Sequence, residues 1–109
     1  MKAATFFNFD PSRVPSPCFV VDKAVVESNL QVLNRVQRES GAKVLAALKA
    51  FSMWRLGPLT SQYLSGFCAS GLNEALLGRD EYGGEVHVFS AAFHEKDLRE
   101  ILTFAHHLV

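Results

Sequence analysis

Long apolar runs are missing from this 109-residue sequence, and none approaches the ~20 residues needed to cross a bilayer. The first ten residues carry one lysine and aromatics broken by polar residues, without the ~7–15-residue apolar core of a secretory signal. Net charge is missing too. Eleven basic residues balance eleven acidic ones without blocks of one sign, so neither nucleic acid nor a membrane is expected as a partner. Cysteine is scarce: Cys18 and Cys68 lie far apart with no CxxC spacing. They are expected to be reduced, mostly buried thiols rather than a disulfide or a metal site. Together these absences point to a cytoplasmic globular protein, and a composition of 49% hydrophobic and 20% charged residues fits that class. The length suffices for one small domain and not for two.

What is present has a clear rhythm. Residues 1–17 read as an irregular lead-in, because Pro11, Pro15 and Pro17 remove donors and fix φ. Residues 18–42 read as a strand and a helix leading into the domain. Cys18–Val21 is a short apolar β-type run, and Asp22 is a good N-cap for the helix after it. Val26, Leu30, Leu33 and Val36–Gln37 mark one face of that helix, and Gly41 suits its C-terminal end. Residues 43–109 then alternate between strand-like and helix-like segments. Lys43–Leu48 is apolar without polar alternation, the pattern of a strand buried on both faces. A helix signal follows around Trp54, Leu59 and Leu64, with Pro58 as a kink or a late start. Gly66–Ser70 and Glu85–Ser90 read as strands, Asn73–Gly78 as the beginning of a helix that ends at the Gly83–Gly84 turn, Leu98–Ala105 as a helix, and His106–Val109 as a last strand.

Strand-like starts therefore fall at 43, 67, 86 and 106, separated by 24, 19 and 20 residues with a helix in each gap. Repeated β-α units build a parallel sheet covered by helices, closed as an eight-stranded barrel or left open and doubly wound. No Gly-x-Gly-x-x-Gly follows the first strand, which weakens the case for the dinucleotide form of the open sheet. An α/β fold of the (β/α)8, TIM-like kind takes ~250 residues, so the sequence is expected to be the N-terminal part of such a barrel.

In parallel α/β folds, chemistry gathers at the C-terminal ends of the strands. That rule selects Lys49, Ser70, Glu74 and Ser90. Lys49 stands between Ala46-Ala47-Leu48 and Ala50-Phe51. Apolar surroundings would favour its neutral amine, the form that attacks an aldehyde; the alternative is a lysine that ends a strand and reaches water. Glu74 is a candidate site carboxylate or a first-turn group serving the helix dipole, and Ser70 and Ser90 are site groups or helix caps. His87 reads as a packed, hydrogen-bonded histidine, while His94, His106 and His107 have no carboxylate or cysteine at ligand spacing, so no metal is expected. Met53, Trp54 and Tyr63 are expected to pack in the core or on a helix face.

Ala47-Leu48-Lys49-Ala50 resembles the cofactor-lysine segment of the pyridoxal-phosphate enzymes of the alanine racemase-like barrel fold. Cys68-Ala69-Ser70 and Glu74 follow in the order seen in the ornithine/diaminopimelate decarboxylase group. The nearer resemblance is to the carboxynorspermidine (carboxyspermidine) decarboxylase family. It is carried by Pro15–Val20, Ala47–Trp54 and Gly83–Val88, and it runs from about Asp10 onward. Phe51 replaces the asparagine, and Phe67 the aspartate, usual in the ornithine decarboxylase pattern, which argues against ornithine, arginine or diaminopimelate as substrate.

The resemblance implies that Lys49 holds pyridoxal 5'-phosphate as a Schiff base, with Ser70, Glu74 and Ser90 lining the cofactor side of the mouth. It implies decarboxylation of carboxynorspermidine or carboxyspermidine to norspermidine or spermidine, in polyamine biosynthesis, by a homodimer. Cys18–Val21 would belong with a C-terminal β domain absent from this chain. The family's remaining cofactor groups would lie beyond residue 109, so the chain alone is expected to be catalytically silent. Two other readings stay open: a non-catalytic barrel that binds pyridoxal phosphate, and a truncated reading frame without function.

Overall fold

The computed structural model describes residues 9–109; the first eight residues of the expected lead-in lie outside them. Asp10 caps a single 3-10 turn at Pro11–Arg13, its Oδ1 accepting from the Ser12 amide and hydroxyl at 3.0 and 2.7 Å. Asp22 does the same for the long helix α1 (Lys23–Ser40), whose free first-turn amides at Ala24 and Val25 reach its carboxylate at 2.8 and 3.3 Å. α1 stops at Gly41, whose φ of 74° is a left-handed conformation that favours glycine.

From there the chain alternates as its spacing predicts. β1 (Leu45–Ala47) leads through a 3-10 turn at Trp54–Leu56 into α2 (Gly57–Ser61), then β2 (Gly66–Ala69) and α3 (Leu72–Glu81). β3 (Glu85–Val88), α4 (Glu95–Ile101) and β4 (His107–Leu108) complete the described chain. Pro58 sits in the first turn of α2, so it marks a late start rather than a kink. The four strands are all parallel and neighbours in chain order, β1-β2-β3-β4. No described helix is long and apolar enough to cross a membrane.

The core lies on one face of this sheet. Alternate residues Leu48, Phe67, Ala69, Val86 and Val88 pack with Ala75 of α3, Tyr82 and Ile101 of α4. Phe67 is fully buried, and its ring lies against Gly78, where a Cβ would overlap the ring carbons. The departure from the ornithine decarboxylase pattern at 67 is thus the centre of the core.

α1 is held mainly by polar groups. The Gln37 side-chain oxygen accepts from the Val44 amide (2.7 Å), the Ser65 amide (3.2 Å) and the Ser65 hydroxyl (2.6 Å), and its nitrogen donates to the Tyr63 carbonyl (2.8 Å). The Tyr63 hydroxyl donates to Glu27 at 2.7 Å. Of the apolar face expected on α1, Leu30 alone is buried; Leu33 and Val36 are exposed.

Several expectations are corrected. Within the described residues Cys18–Val21 forms no strand and pairs with none, Cys18 is exposed rather than buried, and Phe19 is 97% exposed. β1 is not sealed on both faces, since Ala47 is exposed and Leu45 half-buried, because no second layer among the described residues covers that side. Met53 and Trp54 are exposed as well, sitting in the loop beyond β1 instead of in the core.

Candidate functional site

Register aligns the strand ends. Ala47 pairs with Cys68, Cys68 with His87, and His87 with His107. The bonding continues one step further, with the Leu48 amide on the Cys68 carbonyl (3.1 Å) and the Phe89 amide on that of Ala69 (2.9 Å). Lys49, Ser70 and Ser90 therefore emerge at one end of the sheet, the C-terminal end, and Glu74 stands in the first turn of α3 beside them.

Lys49 lies in a tight turn closed by the Ala50 and Phe51 amides on the Ala47 carbonyl, at 3.0 and 3.3 Å. It is exposed, and so are Ala47, Ala50 and Phe51, the neighbours expected to dry its surroundings. That apolar environment is not built by the described residues, since the strand opens to solvent on the side away from the helices. Among the described residues no hydrogen bond or ion pair engages the Lys49 ammonium. Beside it an open hollow of about 430 Å³ is lined by Phe19–Val21 and Ala50–Met53, so the segment expected as a strand instead walls one flank of the mouth.

The other three predicted residues share the end of the sheet without touching Lys49. Glu74 Oε2 accepts from the Ser70 amide at 2.8 Å, the role of a first-turn carboxylate tightening the strand-to-helix turn. The Ser90 hydroxyl donates to the Ala92 carbonyl at 2.7 Å. Neither serine caps a helix: Gly71 precedes α3, and His94 caps α4 by accepting from the Lys96 amide at 3.3 Å. Ser70 is exposed at this end of the sheet.

Sequence reasoning missed a second polar cluster, on the face of the sheet away from the helices. Glu85 and His87 alternate with the buried Val86 and Val88 along β3, and His107 stands opposite His87 on β4. Glu85 Oε2 is 3.0 Å from His87 Nε2 and 3.9 Å from His107 Nε2, and the two imidazoles stack with centroids 4.3 Å apart. The other carboxylate oxygen of Glu85 is paired with Lys43. The Lys43 ammonium and then the His87 ring hold the Glu85 carboxyl down to about 2, from 4.5. His106 differs from its neighbour: its Nδ1 accepts the Val86 amide at 3.0 Å, a bond that closes the β3 ladder. The available signal was the 20-residue repeat, which sets position 107 opposite position 87; spacing along the chain alone does not join them.

No protein-family model matches the chain. Among curated proteins it is 40% identical over 89 residues to a carboxynorspermidine/carboxyspermidine decarboxylase of Herminiimonas arsenicoxydans, covering 82% of this chain and 24% of that protein. It is 37% identical over 97 residues to a carboxyaminopropylagmatine decarboxylase of Synechocystis, covering 89% of this chain and 25% of that one. The crystal structure of carboxynorspermidine decarboxylase from Campylobacter jejuni, complexed with norspermidine, superposes with a TM-score of 0.84 at 34% identity over 87% of this chain and 26% of that chain. The chain thus spans about a quarter of the length of the relatives it matches.

Proposed function

Taking as premise that this chain is kin, over most of its length, to the carboxynorspermidine/carboxyspermidine decarboxylases, we propose that it contributes the covalent cofactor anchor of a pyridoxal-phosphate-dependent carboxy-lyase acting on a carboxylated polyamine. The observation that carries this reading is Lys49: a primary amine, exposed and unpaired among the described residues, at the C-terminal end of a parallel strand within the matched region. A lysine held in an ion pair would not fit an aldehyde cofactor; this one fits. The sequential, all-parallel strand order supports a barrel wall, because an open doubly wound sheet reverses its order at a switch point.

The reaction breaks the bond between the α-carbon and its carboxylate, releases carbon dioxide and places one proton on that carbon. The cofactor supplies the electron sink for the pair left behind. Lys49 Nζ would hold the cofactor, and Glu74, by fixing the Ser70 amide, sets the turn that presents the Ser70 hydroxyl. The exposed Phe51 and Met53, with Phe19 to Val21, form an apolar flank suited to the methylene chain of a polyamine. The names of the relatives differ in the amine and share the carboxylated polyamine, so that class is the proposed substrate. A homodimer is part of the same proposal.

The test is decarboxylation by the full-length protein that carries this segment, assayed on carboxynorspermidine, carboxyspermidine, carboxyaminopropylagmatine and ornithine. Carbon dioxide should be released from at least one of the first three and not from ornithine. Lys49→Ala should abolish both turnover and the visible band of bound pyridoxal phosphate. Retention of that band in Lys49→Ala would sink the anchor assignment, and a band without turnover would favour a non-catalytic binding protein.

A further inference from the structure

The geometry of the second cluster points to a cation site: we propose that Glu85, His87 and His107 bind one divalent transition ion of the zinc class. The inference stands apart from Lys49, since it concerns side chains set back from the strand ends on the face away from the helices. Two imidazoles and one carboxylate are the nitrogen and oxygen donors that zinc and its neighbours in the first transition row take. One ligand atom from each lies within 4.8 Å of the others. Bonds of about 2.0–2.1 Å to a tetrahedral ion place ligand atoms roughly 3.3–3.5 Å apart. The observed 3.0 Å and 3.9 Å bracket that span for the two carboxylate–imidazole pairs, while the two rings, stacked with ligand atoms within 4.8 Å, must turn toward a shared ion.

Strand register sets the frame. His87 and His107 are register partners on adjacent parallel strands, and Glu85 sits two residues before His87 on the same face. Lys43 pairs with Glu85 Oε1, which leaves Oε2 turned toward both rings. In this chain the His87 and His107 side chains are 20% and 55% exposed, on the face that a closed barrel would turn inward, and a water would fill the fourth position. Lys43 also sets a distinctive sign. As an orienting group it helps, but its positive charge opposes a second cation nearby, and the Coulomb term outweighs orientation for an exposed ammonium.

The test is equilibrium dialysis of the chelator-stripped full-length protein that carries this segment against zinc chloride, in a Cys18→Ser/Cys68→Ser background that removes the thiols of this segment, with cobalt(II) absorption as a second readout. One equivalent of zinc should bind in the micromolar range or tighter, and cobalt should give a four-coordinate spectrum. Each of His87→Gln and His107→Gln should weaken binding by at least about tenfold. Lys43→Met, which removes the ammonium paired with Glu85 Oε1 and keeps all three ligands, should tighten it by up to roughly tenfold. The proposal is overturned by absence of stoichiometric binding at micromolar zinc, by binding that survives the His87→Gln/His107→Gln double variant, or by weaker binding in Lys43→Met. Circular dichroism of each variant separates loss of the site from loss of the fold, and the Lys43 variant keeps the test open if a histidine variant does not fold.

Discussion

Along β3, neighbouring residues live in different worlds. Val86 and Val88 are sealed against α3 and α4, while Glu85 and His87, one position away, meet an ammonium, a second imidazole and water. The same split runs through β2, where Phe67 and Ala69 are fully buried and the half-exposed Cys68 between them joins the polar face. The period of two in a strand assigns stability to one face and chemistry to the other. A substitution should therefore report its face before it reports its residue type.

The sharpest break in that comparison is Phe67→Ala. It empties the centre of the helix-covered face opposite Gly78 and should cost about 3–5 kcal/mol of stability, read from a denaturant midpoint. A cost below about 1 kcal/mol would mean that the helices are not docked as described. A smaller effect of opposite sign is expected at Tyr82, whose hydroxyl is buried without a partner among the described residues and whose phenol burial pushes upward. Tyr82→Phe should leave stability unchanged or raise it by about 1 kcal/mol, since it removes an unsatisfied group and keeps the ring.

The smallest effect belongs to the open face. The Glu85 carboxyl is lowered by its partners, so their contribution is present above 4.5 and fades as pH falls through about 2. Comparing wild type with Glu85→Gln across that window should show acid sensitivity in the former that is reduced in the latter. Salt should diminish the difference, because the Lys43 ammonium is exposed. A variant as acid-sensitive as wild type would mean that the Lys43–Glu85–His87 group is not formed in solution.

Much of this fold was legible in the residues because the signals were local. Asp22 and Gly41 bound α1, Pro58 dates the start of α2, and the β-α spacing places all four parallel strands. Position at a strand end likewise sufficed to place Lys49, Ser70, Glu74 and Ser90 at one mouth. What failed depended on partners that no local pattern shows. An apolar run such as Cys18–Val21 needs a strand beside it before it becomes one, and β1 needs a second layer before both faces are dry. The Glu85–His87–His107 group is a product of register, and Gln37 reads as an ordinary helix-face residue until its partners are known.

Gln37 has a mechanical consequence. Its four hydrogen bonds fall on Tyr63, Val44 and Ser65, residues at the starts of β1 and β2, while Lys49 and Ser70 stand where those strands finish. One amide thus ties α1 to the roots of β1 and β2, away from the strand ends that carry Lys49 and Ser70. Loops at those ends can change length or bend toward a ligand without loosening the long helix from its seat.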